Sequence, residues 1–283
     1  RDQPRSRGLG DVYKRQLLLC AVLLASTFAG CLGSEEEAEY DGPIDLVVYY
    51  DVTSGTIQET IQNNQQVSEN GVEVLFDFSY TKSSAGEIST FSYTPGDGSN
   101  PVTVNAADTG EITYTYLTHG MFSATIGAVD DQGNEYSENV TIRIDKETTW
   151  IETQTTAPRT MSIDVTPDCV CQLPEQIQID STVENPTNAF GIGGSPVTVT
   201  WYLNNSEGEA VVESPPEQIA DGQDANWVHN EFNPSTGAWT LEVGLNQDQE
   251  NVDISHVVTI AYAVEESTTN PFPTDEEVPD DEA

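Results

Sequence analysis

From Ile44 onward, this chain is built from short runs in which apolar and polar residues alternate, set apart by Gly, Asn, Asp, Ser and Pro. Successive side chains of a strand point to opposite faces, so a period of two marks strands with one buried face. Val72, Val74, Phe76 and Phe78 alternate with Glu73, Leu75, Asp77 and Ser79, and Ile112, Tyr114 and Tyr116 alternate with threonines. Phe122, Ala124, Ile126 and Ala128, then Val140, Ile142 and Ile144, complete a first set. A second set begins with Met161, Ile163 and Val165, then Ile177, Ile179 and Val183, then Val197, Val199, Trp201 and Leu203. It closes with Trp239, Leu241, Val243 and Leu245, and with Ile254, His256, Val258, Ile260, Tyr262 and Val264. No segment of useful length carries a helical period. The expectation is an all-β chain of two tandem antiparallel β-sandwiches, over residues 44–146 and 161–264.

Charge narrows the partners. The 283 residues hold 48 Asp and Glu against 9 Lys and Arg, a formal charge of −39, and five of those bases lie before Cys31. From Cys31 onward only Lys82, Arg143, Lys146 and Arg159 remain, so nucleic acid and anionic lipid are poor partners. The scarcity of Lys beside abundant Asp and Glu resembles the acidic proteins of salt-adapted archaea and bacteria. Self-repulsion in such a chain is screened at high salt, where the Debye length shrinks to about 3 Å near 1 M.

The head has a different character. Leu17 to Phe28 is an apolar run, too short for the roughly 20 residues of a membrane-spanning helix and of the right length for the core of an export signal. Residues 1–30 are therefore expected to be a signal peptide. Gly8 to Gln16 resembles translated adapter read-through, and residues 1–16 are left out of the fold expectation. Phe28-Ala29-Gly30-Cys31 resembles the bacterial and archaeal lipobox, which implies cleavage before Cys31 and lipidation of its thiol. Phe28 departs from the usual Leu. Residues 31–43 read as a small, acidic, self-repelling tether.

Two motifs carry a family resemblance in the first sandwich. Phe91-Ser92-Tyr93-Thr94-Pro95-Gly96-Asp97-Gly98 is similar to the aromatic-x-Trp-Asp-Phe-Gly-Asp-Gly of PKD modules. Thr115-Tyr116, Gly120-Met121-Phe122 and Val129-Asp130-Asp131-Gln132-Gly133 resemble that family's downstream motifs. Tyr93, Thr94 and Pro95 replace the usual Trp, Asp and Phe. The resemblance implies an immunoglobulin-like sandwich of the kind found in surface proteins and secreted hydrolases. Trp201, Val183-Glu184-Asn185-Pro186 and Gly237-Ala238-Trp239 in the second sandwich are similar to immunoglobulin-like and CARDB adhesion modules.

The remaining features are local. Glu147 to Thr160 reads as a Thr-rich linker, and residues 265–283 as a disordered acidic tail. Gly96-Asp97-Gly98 is turn chemistry first, with calcium held by Asp97, Asp130 and Asp131 as the sharper alternative. Cys169 and Cys171 are expected to form a local disulfide outside the cell, with a copper or zinc site, or pairing between chains, as rivals. Asn139 and Asn204 head glycosylation sequons. His119, His229 and His256 are scattered, Gly191 to Gly194 is a glycine-rich loop before a strand, and no nucleophile motif or metal-spaced pair accompanies them. No catalytic residue, metal ligand or cofactor is expected. The function this implies is a non-enzymatic, membrane-anchored surface lipoprotein that binds a surface protein or glycan or acts as a spacer. The alternative is an accessory subunit of an extracellular hydrolase or transporter.

Overall fold

The computed structural model describes residues 42–187, 194–246 and 250–273. The signal segment, Cys31, most of the tether and most of the glycine-rich loop lie outside them. The first half holds β1 (Ile44–Asp45), β2 (Ser54–Gln62), β3 (Gln65–Asn70), β4 (Val72–Asp77), β5 (Lys82–Ser83), β6 (Ile88–Thr94), β7 (Val102–Asn105), β8 (Glu111–Tyr116) and β9 (Gly120–Asp130). Then comes β10 (Glu135–Thr155), the longest strand, followed by β11 (Met161–Asp164), β12 (Gln176–Asn185), β13 (Val197–Asn204) and β14 (Ala210–Glu213). The series ends with β15 (Glu217–Ile219), β16 (Gln223–Phe232), β17 (Ala238–Leu245) and β18 (Val252–Ala261). Among the described residues no helix is present, as the alternation requires.

Two sandwiches share one sheet. Nine strands run in the order β16-β12-β18-β10-β9-β6-β7, with β2 on β10 and β3 on β2. A pair, β4-β8, faces the first part of this sheet, and the five strands β11-β17-β13-β14 with β15 face the second. Two apolar clusters result. Phe76, Phe78, Tyr93, Tyr116 and Phe122 lie at the centre of the first, and Trp201, Met161, Ile177, Leu241 and Val258 in the second. The alternating residues predicted from sequence supply most of both clusters, with Ile57, Phe91, Tyr93 and Trp150 among the additions, while Val264, at the end of the last run, is 81% exposed.

β10 is the common element. Its first part, Glu135 to Ile144, pairs antiparallel with β9, and its last part, Lys146 to Thr155, pairs antiparallel with β18. Along its other edge, Arg143 to Ile151 pair in parallel with Ser54 to Gln62 of β2. The expected linker is therefore strand through Thr155. Its threonines and Ile151 are β-branched strand formers, and β2 and β18 satisfy its backbone on both sides. Trp150 and Glu152 are buried there, and Trp150 Nε1 donates to Glu152 Oε1 at 3.1 Å. A bulge at Gln154, whose φ is 52°, interrupts the ladder before Thr155 pairs with Val252. One pairing within these antiparallel sandwiches is parallel, that of β2 with β10.

Residues 265–273 differ from the disordered tail expected there, and residues 274–283 lie outside the described residues. Instead of leaving the fold at Glu265, the chain turns back onto the first sandwich. Arg143 Nε donates to Glu266 Oε2 at 2.9 Å, and Ser267 N donates to Thr141 O at 3.0 Å. Asn270 exchanges backbone hydrogen bonds with Tyr50 at 2.8 and 3.0 Å, and Phe272 packs on Tyr49. A composition of acids and prolines reads as disorder, yet these residues meet one of the chain's few cations and a free strand edge.

Candidate functional site

The signature turn of the first sandwich is built from its own side chains. Gly96 and Gly98 take φ of +82° and +86°, and a Cβ on Gly96 would lie 2.6 Å from Ser123 O, so the turn needs glycine there. Asp97 Oδ1 accepts from Ser99 N at 2.9 Å and Oδ2 from Tyr114 OH at 2.5 Å. Beneath it Tyr93 and Tyr116 fill the strand end, their hydroxyls 2.6 Å apart, and Tyr116 donates to Pro95 O at 2.8 Å. Burial, opposed by the Tyr116 bond, pushes the Tyr93 hydroxyl well above the usual phenol range. A buried tyrosine needs a partner for its hydroxyl, and this pair supplies it where a larger ring is usual.

Asp130 is committed as fully. Its Oδ1 accepts from Gln132 N and Asn134 N at 3.0 and 2.8 Å, and its Oδ2 from Ser83 Oγ and Asn134 Nδ2 at 2.7 and 2.8 Å. Burial raises its pKa, but these four donors together hold the carboxyl below the usual range. Asp97 and Asp130 thus close turns, and among the described residues no three His, Cys, Asp or Glu side chains are placed to hold a metal.

The histidines take three separate roles. His256 is buried, and its Nδ1 lies 2.7 Å from Ser181 Oγ, which also accepts from Trp201 Nε1 at 2.6 Å. Burial lowers the His256 pKa to about 4, so it is neutral at pH 7 and accepts the serine proton. Ser181 and His256 are 0% and 1% exposed, which makes the pair a core strut with no approach for a substrate. His229 stacks on Trp227, with planes 2° apart, and Trp227 stacks on Trp201.

His119 sits where the sandwiches meet. Its Nδ1 lies 2.8 Å from Tyr262 OH and its Nε2 lies 3.2 Å from Asp164 O. One tautomer satisfies both: Nε2–H donates to the carbonyl and Nδ1 accepts from the tyrosine. Burial lowers the pKa of the ring. Beside it, Asp145 Oδ1 accepts from Tyr262 N at 2.9 Å while Arg143 bonds both Asp145 and Glu266. Burial raises the pKa of Asp145 against the pull of Tyr262 N and Arg143. Lys146 Nζ pairs with Glu59 Oε2 at 2.9 Å. A cleft of about 370 Å³ opens along this seam between Glu59, Lys146, Thr118, His119, Met161 and Asp164. Thr118 Oγ1, on its wall, is buried without a hydrogen-bond partner. Nothing in the sequence joined His119, Asp145 and Tyr262, which lie far apart in the chain.

Cys169 and Cys171 form a disulfide in a bend, with Cα atoms 5.2 Å apart. Cys169 packs against the first core cluster although it belongs to the second sandwich, while Val170 between the two is fully exposed. Asn139 is exposed on β10 and Asn204 half-buried, its Nδ2 donating to Thr240 Oγ1 at 3.2 Å.

Together these features define an all-β protein of immunoglobulin-like β-sandwiches joined through a shared sheet. Residues 57–144, most of the first sandwich, match the family model of the PKD domain. No curated protein matches the chain. Among solved structures, it is similar to carbohydrate-binding modules of the β-sandwich superfamily, at 11% identity and a TM-score of 0.29, over 79% of this chain and 94% of that one. It is also similar to fibronectin(III)-like modules of Clostridium thermocellum CbhA, at 11% identity and a TM-score of 0.24, over 70% of this chain and 92% of that one.

Proposed function

We propose that this protein is an exported, membrane-tethered binding or spacer module, held by lipid on Cys31 and presenting its two sandwiches as one body. The observation that carries the spacer reading is β10, a single 21-residue strand that belongs to both sandwiches. A jointed pair would place a flexible segment between domains. Here β2, β18 and the returning tail brace the passage from one sandwich to the other. A rigid unit holds its outer surfaces at a set distance from one another, which serves presentation better than turnover.

The lipid half of the reading rests on Phe28-Ala29-Gly30-Cys31 and the acidic residues after it. Two acyl chains give lasting attachment at about 0.8 kcal/mol per buried methylene, and one does not. Metabolic labelling with a fatty acid or isoprenoid precursor, comparing the natural chain with Cys31→Ser, tests it. Label and membrane retention are expected in the natural chain and lost in the variant, and equal retention would refute the anchor. For the spacer half, limited proteolysis is expected to leave residues 147–155 uncut under conditions that nick exposed loops. An accessory role beside an extracellular hydrolase or transporter is the second reading, favoured by the seam cleft, and cross-linking on intact cells would reveal such a partner.

A further inference from the structure

A second groove, of about 320 Å³, runs along the outer face of β4 and β8, walled by Tyr49 and Phe272 and floored by Leu75. Three aromatic rings meet beside it. Tyr49 lies 5.5 Å from Tyr80 and 5.0 Å from Phe272, and Tyr80 lies 5.2 Å from Phe272, centroid to centroid. Tyr80, Leu75 and Phe272 are 45%, 45% and 50% exposed, so contiguous apolar surface is on offer at this groove.

The polar side of this groove is of one sign. Asp77 and Glu111 are direct partners across the antiparallel β4-β8 pair, and Glu73 is on the same outward face. Like charges directly opposite each other on a sheet are unfavourable, and no lysine, arginine or histidine lines the groove to relieve them. Aromatic faces and carboxylates attract the same kind of group, an organic cation whose charge meets the acids and the rings while its aliphatic stem covers Leu75.

We propose that the groove between Tyr49, Phe272 and the opposed carboxylates of Asp77 and Glu111 docks a lysine- or arginine-bearing segment of a partner protein. Residues 274–283 are not the occupant, since they hold six acids and no base. A second copy is excluded on the same ground, because each copy carries a formal −39. The site does not depend on the membrane anchor and stands or falls separately from it.

A fluorescein-labelled hexalysine peptide, titrated against the protein in low salt and followed by anisotropy, tests the proposal. Any acidic protein attracts such a peptide, so the comparison is between variants of equal charge. Asp77→Asn with Glu111→Gln is expected to weaken binding about tenfold or more, whereas Glu207→Gln with Glu209→Gln, away from the groove, changes it less than about twofold. Phe272→Ala, which removes no charge, is expected to weaken it severalfold. The first double variant also relieves the opposed carboxylates, so its melting temperature should hold or rise and misfolding would not explain the loss. Equal effects of the two double variants would overturn the proposal. So would binding of a neutral oligosaccharide that depends on Phe272 while the peptide does not, which would make the groove a sugar site.

Discussion

His119 Nδ1 and Tyr262 OH lie 2.8 Å apart, joining the turn before β9 in the first sandwich to the residue just after β18 in the second. Tyr262→Phe removes the hydroxyl and leaves a buried ring nitrogen without its donor. The expected loss is about 1–3 kcal/mol, the usual penalty for an unsatisfied buried acceptor. Urea denaturation of the two proteins measures it. If the sandwiches unfold together, one transition shifts; a split into two would show that this bond couples them.

His256 sets a pH dependence. Its folded pKa of about 4 lies below the ordinary histidine value, so between about pH 6.5 and 4 the unfolded chain binds a proton that the native core does not. Stability then rises with pH across that window and falls on acidification, by at most about 1.4 kcal/mol per pH unit for the one group. The substitution Ser181→Ala leaves Trp201 Nε1 and His256 Nδ1 unpartnered and is expected to cost about 2–4 kcal/mol. Urea midpoints at pH 7 and pH 5 check both effects.

The tail clasp predicts a salt effect. Hydrogen bonding from Arg143, aided by its charge, holds the Glu266 carboxyl below the usual range, so this contact contributes above the unfolded carboxylate pKa and is lost as pH falls through the lower folded value. Both side chains are partly exposed, so Glu266→Gln should cost no more than about 1 kcal/mol. The difference from the natural chain is expected to shrink between 0.1 and 2 M NaCl, as measured by thermal melting.

The disulfide should matter little to global stability. A bond between Cys169 and Cys171 closes a very small loop, for which chain entropy gives about 1–2 kcal/mol. Cys169→Ser with Cys171→Ser is expected to melt only a few degrees lower. Intact mass should be unchanged by alkylation until a reductant is added.

Much of this fold was legible because half-buried strands write their register into the sequence. Val72 to Phe78 and Val197 to Leu203 alternate without interruption, and the structure buries the residues so marked. Two of the strands that escaped notice bury little. β3 is exposed along its length, and β16 places Asn226, Val228, Asn230 and Phe232 on an open face. Such edge strands need only one good neighbour, and Asn63-Asn64, at φ 48° and 64°, was the readable sign of the β2-β3 hairpin. The seam was illegible for another reason. His119, Asp145 and Tyr262 converge through pairing between distant strands, and a single chain carries no local trace of which distant residues will meet.

The shared strand also has a consequence for how such modules are assembled. Because β10 passes from one sandwich to the other without a break, the junction is governed by parity. One residue inserted near Glu147 would send Trp150 and Glu152 to the face now held by Ile151, and every later side chain of the strand with them. Two inserted residues would keep each side chain on its face and only slide the second sandwich along the first. Domains joined by a loop tolerate any change of length, whereas these two can drift apart only in even steps.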